Sequence, residues 1–342
     1  MQPLPLRLLP KLKESGCTDE SFDVRIDNAT SLMYGAAKIN VLAVFVDARI
    51  GSGWWCECSV TISPRLCSLQ PSVLWPPTDE GGGIYRKTFL VRTPPLHLAT
   101  DGIYARSTIH GLTSGSGPNL AAKASLAVSA TVENTATTSE SDAKVVFDLF
   151  DATGTGVGSA AVKLQVAGAA NSSAPATASG TATLRLSHPA RLWAPAHPVL
   201  YTLRTRIGGD EVNTSVGIRS TNWSSTTGFW MNEEKVKIRG FCNHNTFGGL
   251  GMNLPDRVNL FRAQALRGMG ANAWRTAHNP PEPGLLDILD RVGVMAMDEN
   301  RIFTAGTTPG QFGFGHGADY GKVLLLSRVA LAVSLTRSAS LS

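Results

Sequence analysis

Between residues 125 and 212 the chain alternates apolar and polar positions in short runs: "SLAVSATVEN", "AKVVFDLFDATG", "AAVKLQVAG", "TATLRLSHP" and "VLYTLRTRIGGDEV". A period of two places every second side chain on one face, which is the signature of half-buried strands. Turn residues (Gly, Ser, Asn and Asp) separate the runs, and almost no helical period intervenes. This spacing predicts an antiparallel β-sandwich of immunoglobulin type over about 101–220. The cysteine pair of antibody domains is absent, so only the architecture is expected.

Upstream, "SFDVRIDNAT", "KINVLAVFVDARI" and "GGGIYRKTFLVRTPP" show the same alternation, with Tyr85, Phe89 and Val91 expected to face inward. Residues 56–79, "CECSVTISPRLCSLQPSVLWPPTD", break it without period or turn logic and read as an insertion.

The period changes near residue 221. "KVKIRGFCNH" predicts a strand. "NLPDRVNLFRAQALRGMG" predicts a helix with Val258, Phe261, Ala265 and Met269 on its inner face. "ANAWRTAH" is a second strand. "EPGLLDILDRVG" sets Leu285, Ile288, Leu289 and Val292 on one stripe, closed by Gly293, and "VMAMDE" is a third strand. Strands alternating with single helices imply parallel βαβ units. After Phe303 the chain turns Gly-rich, then apolar and Ser-rich, with no clear repeat of the preceding unit. The expected organisation is therefore 1–100, 101–220, 221–303 and a poorly determined tail, 304–342.

Composition adds little. The formal charge of +5 is modest for 342 residues, and apart from a cluster at Arg7, Lys11 and Lys13 the basic residues are scattered, which gives nucleic-acid binding little support. No run reaches membrane-span length, and the proline-broken N-terminus is a poor signal peptide. Sequons at Asn28, Asn171, Asn213 and Asn222 leave the compartment open. Cys56, Cys58 and Cys67 lack the paired C-x-x-C spacing of a zinc site. Walker, G-x-S-x-G and H-E-x-x-H motifs are absent.

The candidate chemistry lies at strand ends. In βα units the loops after the strands' C-terminal ends line the functional face. His244, Arg275, His278 and Glu299 all fall there and can converge on one mouth. Taken singly, a strand-end His is more often a structural hydrogen-bonding group, and Arg275 could serve stability alone. Four on one face favour a polar substrate pocket. Asp298 and Glu299 are adjacent on a strand, so both cannot flank one bond.

With those residues in view, the sequence resembles glycoside hydrolase family 2, the β-galactosidase and β-glucuronidase family. "GWW" and "EGGGIYRKTFL" resemble the end of its sugar-binding jelly roll, and "RLWAPAHPVLYTLRTRI" the closing strands of its immunoglobulin-like domain. "KVKIRGFCNHN" and "NAWRTAHNPPEPGLLDILDRVGVMAMDENR" resemble the first three strands of its (β/α)8 barrel. The resemblance implies a retaining mechanism on β-linked sugars, with His244, His278, Arg275, Asn272 and Glu299 matching substrate-binding positions or the strand that holds them. None matches the family's acid/base or nucleophilic Glu, which stand on later strands. A barrel takes roughly 250 residues, and about a hundred follow Lys235. The expectation is a truncated or imperfectly assembled relative without hydrolytic activity. Phe303 stands where metal-dependent members carry a Glu, which argues against magnesium, and no other cofactor is implied. A non-catalytic carbohydrate-binding sandwich, or a β-glucuronidase or β-mannosidase relative, remain the alternatives. No membrane or nucleic-acid partner is expected, and a homo-oligomer is left open.

Overall fold

The computed structural model describes residues 86–89, 91–115, 117–170, 175–277, 281–298, 303–305 and 312–314. The first two alternating runs, residues 56–79, Tyr85 and most of the tail lie outside the described residues, as do His278 and Glu299.

Eight strands build a sandwich. One sheet carries β1 (Leu96–Ser114), β2 (Ala121–Asn134) and β5 (Ala176–Arg185), with β6 (Ala190–Arg191) also on β2. The other has the order β4 (Gly156–Val166), β3 (Glu140–Phe150), β7 (Tyr201–Ile207), β8 (Asp210–Val216). Alternation decides which face is inner. On β2, Leu126, Val128, Ala130 and Val132 are fully buried. They share one core with Val145, Phe147 and Leu149 of β3 and Leu203 and Ile207 of β7. The hairpin β7–β8 turns at Gly208, whose φ of 52° suits a residue without Cβ.

β1 runs across the expected boundary at residue 100, so the sandwich begins at Leu96. Its pairing with β2 shifts register between Leu98 and Ile103 and twice more beyond Ile109. Such bulges break strict alternation, which is why the periodicity missed this strand. Residues 91–94 form no strand, and Phe89 and Val91 are 75% and 70% exposed rather than inward. No strand among the described residues pairs with them.

A small hairpin follows: β9 (Thr221–Ser224), β10 (Gly228–Met231) and β11 (Glu234–Lys235). Its tight turn puts Asn232 and Glu233 at φ 52° and 67°. This two-residue geometry favours Asn-Gly, because a Cβ is crowded at positive φ. Glu233→Gly is therefore expected to stabilise the fold by about 1 kcal/mol, read as a raised Tm; a fall would contradict the turn assignment.

Parallel strands come next, in the order β12 (Gly240–His244), β13 (Ala273–Ala277), β14 (Met295–Met297). Between them run α1 (Asp256–Gly268) and α2 (Pro283–Val292). α2 matches its pattern: Leu285, Ile288 and Leu289 are buried, and Gly293 closes the helix at φ 80°. On α1 the buried residues are instead Asn259, Ala263 and Leu266, while Phe261 and Met269 are 61% and 68% exposed. The inward side is set by where α2 and Trp274 lie, since Ala263 and Leu266 share their cluster. Beyond residue 300, β15 (Phe303–Ala305) and β16 (Phe312–Phe314) pair antiparallel and belong to a separate unit.

Sandwich and βα units belong to one compact unit, and a buried junction joins them. Trp193, fully buried, packs with Phe229 and Met231 of the hairpin and with Ala273 and Met295, which open β13 and β14. Its indole donates to the Asp290 carbonyl at 3.0 Å. Asn232 donates to the Trp193 carbonyl and accepts from the Ser220 amide, both at 3.0 Å. Arg267 bridges the carbonyls of Pro195 and Gly293. The Arg219 guanidinium lies over the Trp193 ring at 5.2 Å.

Candidate functional site

Strand register places the candidate residues. Cys242, Arg275 and Met297 stand side by side across β12, β13 and β14, and His244 pairs with Ala277 one pleat further on. Since alternate residues share a face, His244, Cys242 and Arg275 lie on the same side of the sheet. Trp274 and Ala296 occupy the opposite side and pack in the cluster with the helices. The structure therefore places both on the helix-free face, His244 at the C-terminal end of β12 and Arg275 midway along β13.

The local contacts are specific. Arg275 Nη1 reaches Cys242 Sγ at 3.5 Å, and the Cys242 thiol is free and exposed. Asp298 accepts from the fully buried Thr276 hydroxyl at 3.3 Å. This contact fixes Asp298 beside β13.

Asn272 stands apart from His244 and Arg275. It precedes β13, at the strand's opposite end from His244. Its Oδ1 accepts from the Arg239 amide at 2.7 Å, and its Nδ2 donates to the Lys237 carbonyl at 2.9 Å. The amide thus pins the segment leading into β12 and sets the register that carries His244. Asn272→Ala leaves two backbone groups without these partners and is expected to cost about 2 kcal/mol, measured by chemical denaturation; Asn272→Asp should restore only the bond to Arg239.

A residue the sequence reading passed over completes the support of His244. Arg262 of α1 donates from Nη2 to the His244 carbonyl at 2.7 Å and stacks over Trp274 at 4.8 Å. Burial lowers its pKa from the usual guanidinium value. The sequence reading gave Arg262 no role, because its bond to the His244 carbonyl spans eighteen residues and leaves no periodic trace. At the helix N-termini, Lys87 bonds Asp256 at 2.6 Å and lies 3.4 Å from Glu282. The Asp256 hydrogen bond is the main cause of the raised Lys87 pKa. Both helices begin after strand C-termini, so Lys87 anchors the incoming segment on the mouth side. Among the described residues, no group of three or more His, Cys, Asp or Glu side chains could hold a metal ion.

A β-sandwich leading into parallel βα units, with His244 and Arg275 on one sheet face, defines a mainly β protein with an α/β part. The profile of glycosyl hydrolases family 2 matches residues 117–219. That of the "Glycosyl hydrolases family 2, TIM barrel domain" matches residues 225–321. The chain belongs to glycosyl hydrolases family 2. Beta-galactosidase BoGH2A of Bacteroides ovatus is 34% identical over 235 residues, which make up 67% of this chain and 25% of that protein. A beta-glucuronidase of Paenibacillus borealis is 33% identical over 131 residues, 36% of this chain and 22% of that one. In three dimensions the chain is similar to the crystal structure of a family 2 member from Bacteroides cellulosilyticus. The TM-score is 0.54 at 28% identity, covering 64% of this chain and 29% of that one. The chain thus spans about a quarter of the length of the relatives it matches.

Proposed function

We propose that the helix-free face of β12–β14 is the sugar-binding mouth of a β-galactosidase-type glycosidase, taking a β-linked sugar. His244 and Arg275, with His278 and Glu299, contact the sugar hydroxyls. Asn272 and Arg262 position them. In finer detail, the chain combines part of a jelly roll, an immunoglobulin-like sandwich, and the opening strands of a (β/α)8 barrel. The observation that carries the reading is the shared face of His244 and Arg275 in parallel register.

Retaining hydrolysis needs one carboxylic acid to protonate the leaving oxygen and a second carboxylate to form the glycosyl-enzyme. Neither group has a counterpart in these 342 residues. Assayed by themselves, they bind sugar but do not turn it over. No cofactor or magnesium ion takes part. The similarity to a protein named beta-glucuronidase favours a second reading of the sugar, in which a glucuronide replaces the galactoside. Purified chain incubated with chromogenic β-galactoside and β-glucuronide should release no chromophore above background. Release abolished by Glu299→Gln would overturn the assignment of roles.

A further inference from the structure

We propose that the β9–β11 hairpin carries a second, non-catalytic binding site for a neutral saccharide, separate from the mouth of β12–β14. A cavity of about 310 Å³ is lined by Ser220, Thr221, Asn222, Trp230 and Glu233. That volume lies at the small end of the roughly 300–1,000 Å³ typical of small-molecule pockets.

The site is built rather than incidental. Phe229 and Met231 turn inward to the junction core, so Trp230 between them presents its ring to the other side. Asn222 stands directly across from Trp230 in the strand register. The indole is oriented by its bond to the Thr227 hydroxyl at 3.0 Å. The Ser220 wall is held by Asn232, which bonds the Ser220 amide through its side chain and the Ser220 carbonyl through its own amide. Against this fixed frame, Glu233 is kept at a positive φ that costs stability. Its carboxylate engages no hydrogen bond or ion pair among the described residues. The same holds for the side chains of Ser220, Thr221 and Asn222. Thr221, Asn222 and Glu233 are exposed, so their polar groups face solvent beside an aromatic ring, where a ligand can reach them.

The chemistry selects the ligand. A saccharide offers C–H groups to an indole face and hydroxyls to a carboxylate, an amide and two hydroxyls. Among the described residues Glu233 is the only charged side chain lining the cavity, and it disfavours acidic sugars. The location is also distinct. The hairpin core packs against Ala273 and Met295, the first residues of β13 and β14, at the strand ends opposite His244.

The test is a titration of the full chain with methyl β-D-glucopyranoside, following the indole N–H signal of Trp230 by NMR. A saturable shift is expected. Trp230→Ala and Glu233→Gln should each weaken binding about tenfold or more, with Glu233→Gln leaving the fold intact because the residue is an exposed turn position. His244→Ala combined with Arg275→Ala should leave this affinity unchanged, which separates the hairpin site from the proposed mouth. Glucuronate should bind more weakly than the neutral glycoside. No saturable shift of the Trp230 signal, unchanged affinity in Glu233→Gln, or binding lost only in the His244/Arg275 variant would each overturn the proposal.

Discussion

Trp193→Ala is expected to destabilise the unit from Leu96 to Met297 by roughly 3–5 kcal/mol, the range for removing a large buried aromatic side chain. The residue has no exposed surface and packs against elements of the hairpin and both later parallel strands. A Cβ placed on Gly217 would sit 3.0 Å from the ring, so the indole lies directly on that backbone and little can collapse into the space it leaves. Trp193→Phe retains most of the apolar area but loses the donor to the Asp290 carbonyl. That bond accounts for about 1 kcal/mol. Because the junction belongs to both halves, denaturation followed at the sandwich and at the βα units should shift together. A loss below 1 kcal/mol, or a shift confined to one half, would contradict this account of the junction.

The second large effect is in pH. Burial pushes the Asp290 carboxyl up to about 7, against the pull of the Arg219 guanidinium and with a smaller push from Asp287. Arg219, itself buried, has its pKa lowered by desolvation. In the unfolded chain Asp290 returns to 3.8. Between those values the folded state holds the proton and the unfolded state does not, so stability falls as pH rises from about 4 to about 7. The contribution is complete below the unfolded value and lost above the folded one. Asp290→Asn cannot ionise and is expected to flatten this slope, gaining a few kcal/mol over the wild type at pH 8. Urea midpoints across pH 5–8 measure it; parallel profiles for the two proteins would show that Asp290 does not titrate in this window.

How much of this was legible follows from the kind of signal each element left. β2, β3 and the β7–β8 hairpin were readable because strict alternation maps onto one buried face, as at Leu126, Val128, Ala130 and Val132. α2 was readable through its regular stripe and Gly293. β1 was not, since its bulges interrupt the period that would have declared it. The face of α1 was misread because a polar Asn259 is buried while Phe261 is exposed, an outcome fixed by neighbouring elements rather than by local hydrophobicity. Of the candidate site, the strand pattern located His244 at the end of β12, whereas Arg275 was expected at a strand end and stands midway along β13. The backbone partners of Asn272 were not legible, because its bonds to Lys237 and Arg239 cross more than thirty residues. The same holds for the bond of Arg262 to the His244 carbonyl and for the electrostatic pull of Arg219 on Asp290. Long-range polar contacts leave no periodic trace.

The central claim is that the helix-free face of β12–β14 binds a sugar. Titration of the purified chain with a non-hydrolysable thio-β-galactoside, followed through the imidazole NMR signals of His244 and His278, tests it directly. Both signals should shift saturably, and the shifts should be lost in Arg275→Ala. Imidazole signals that stay fixed at concentrations saturating for family 2 sugar sites would contradict it.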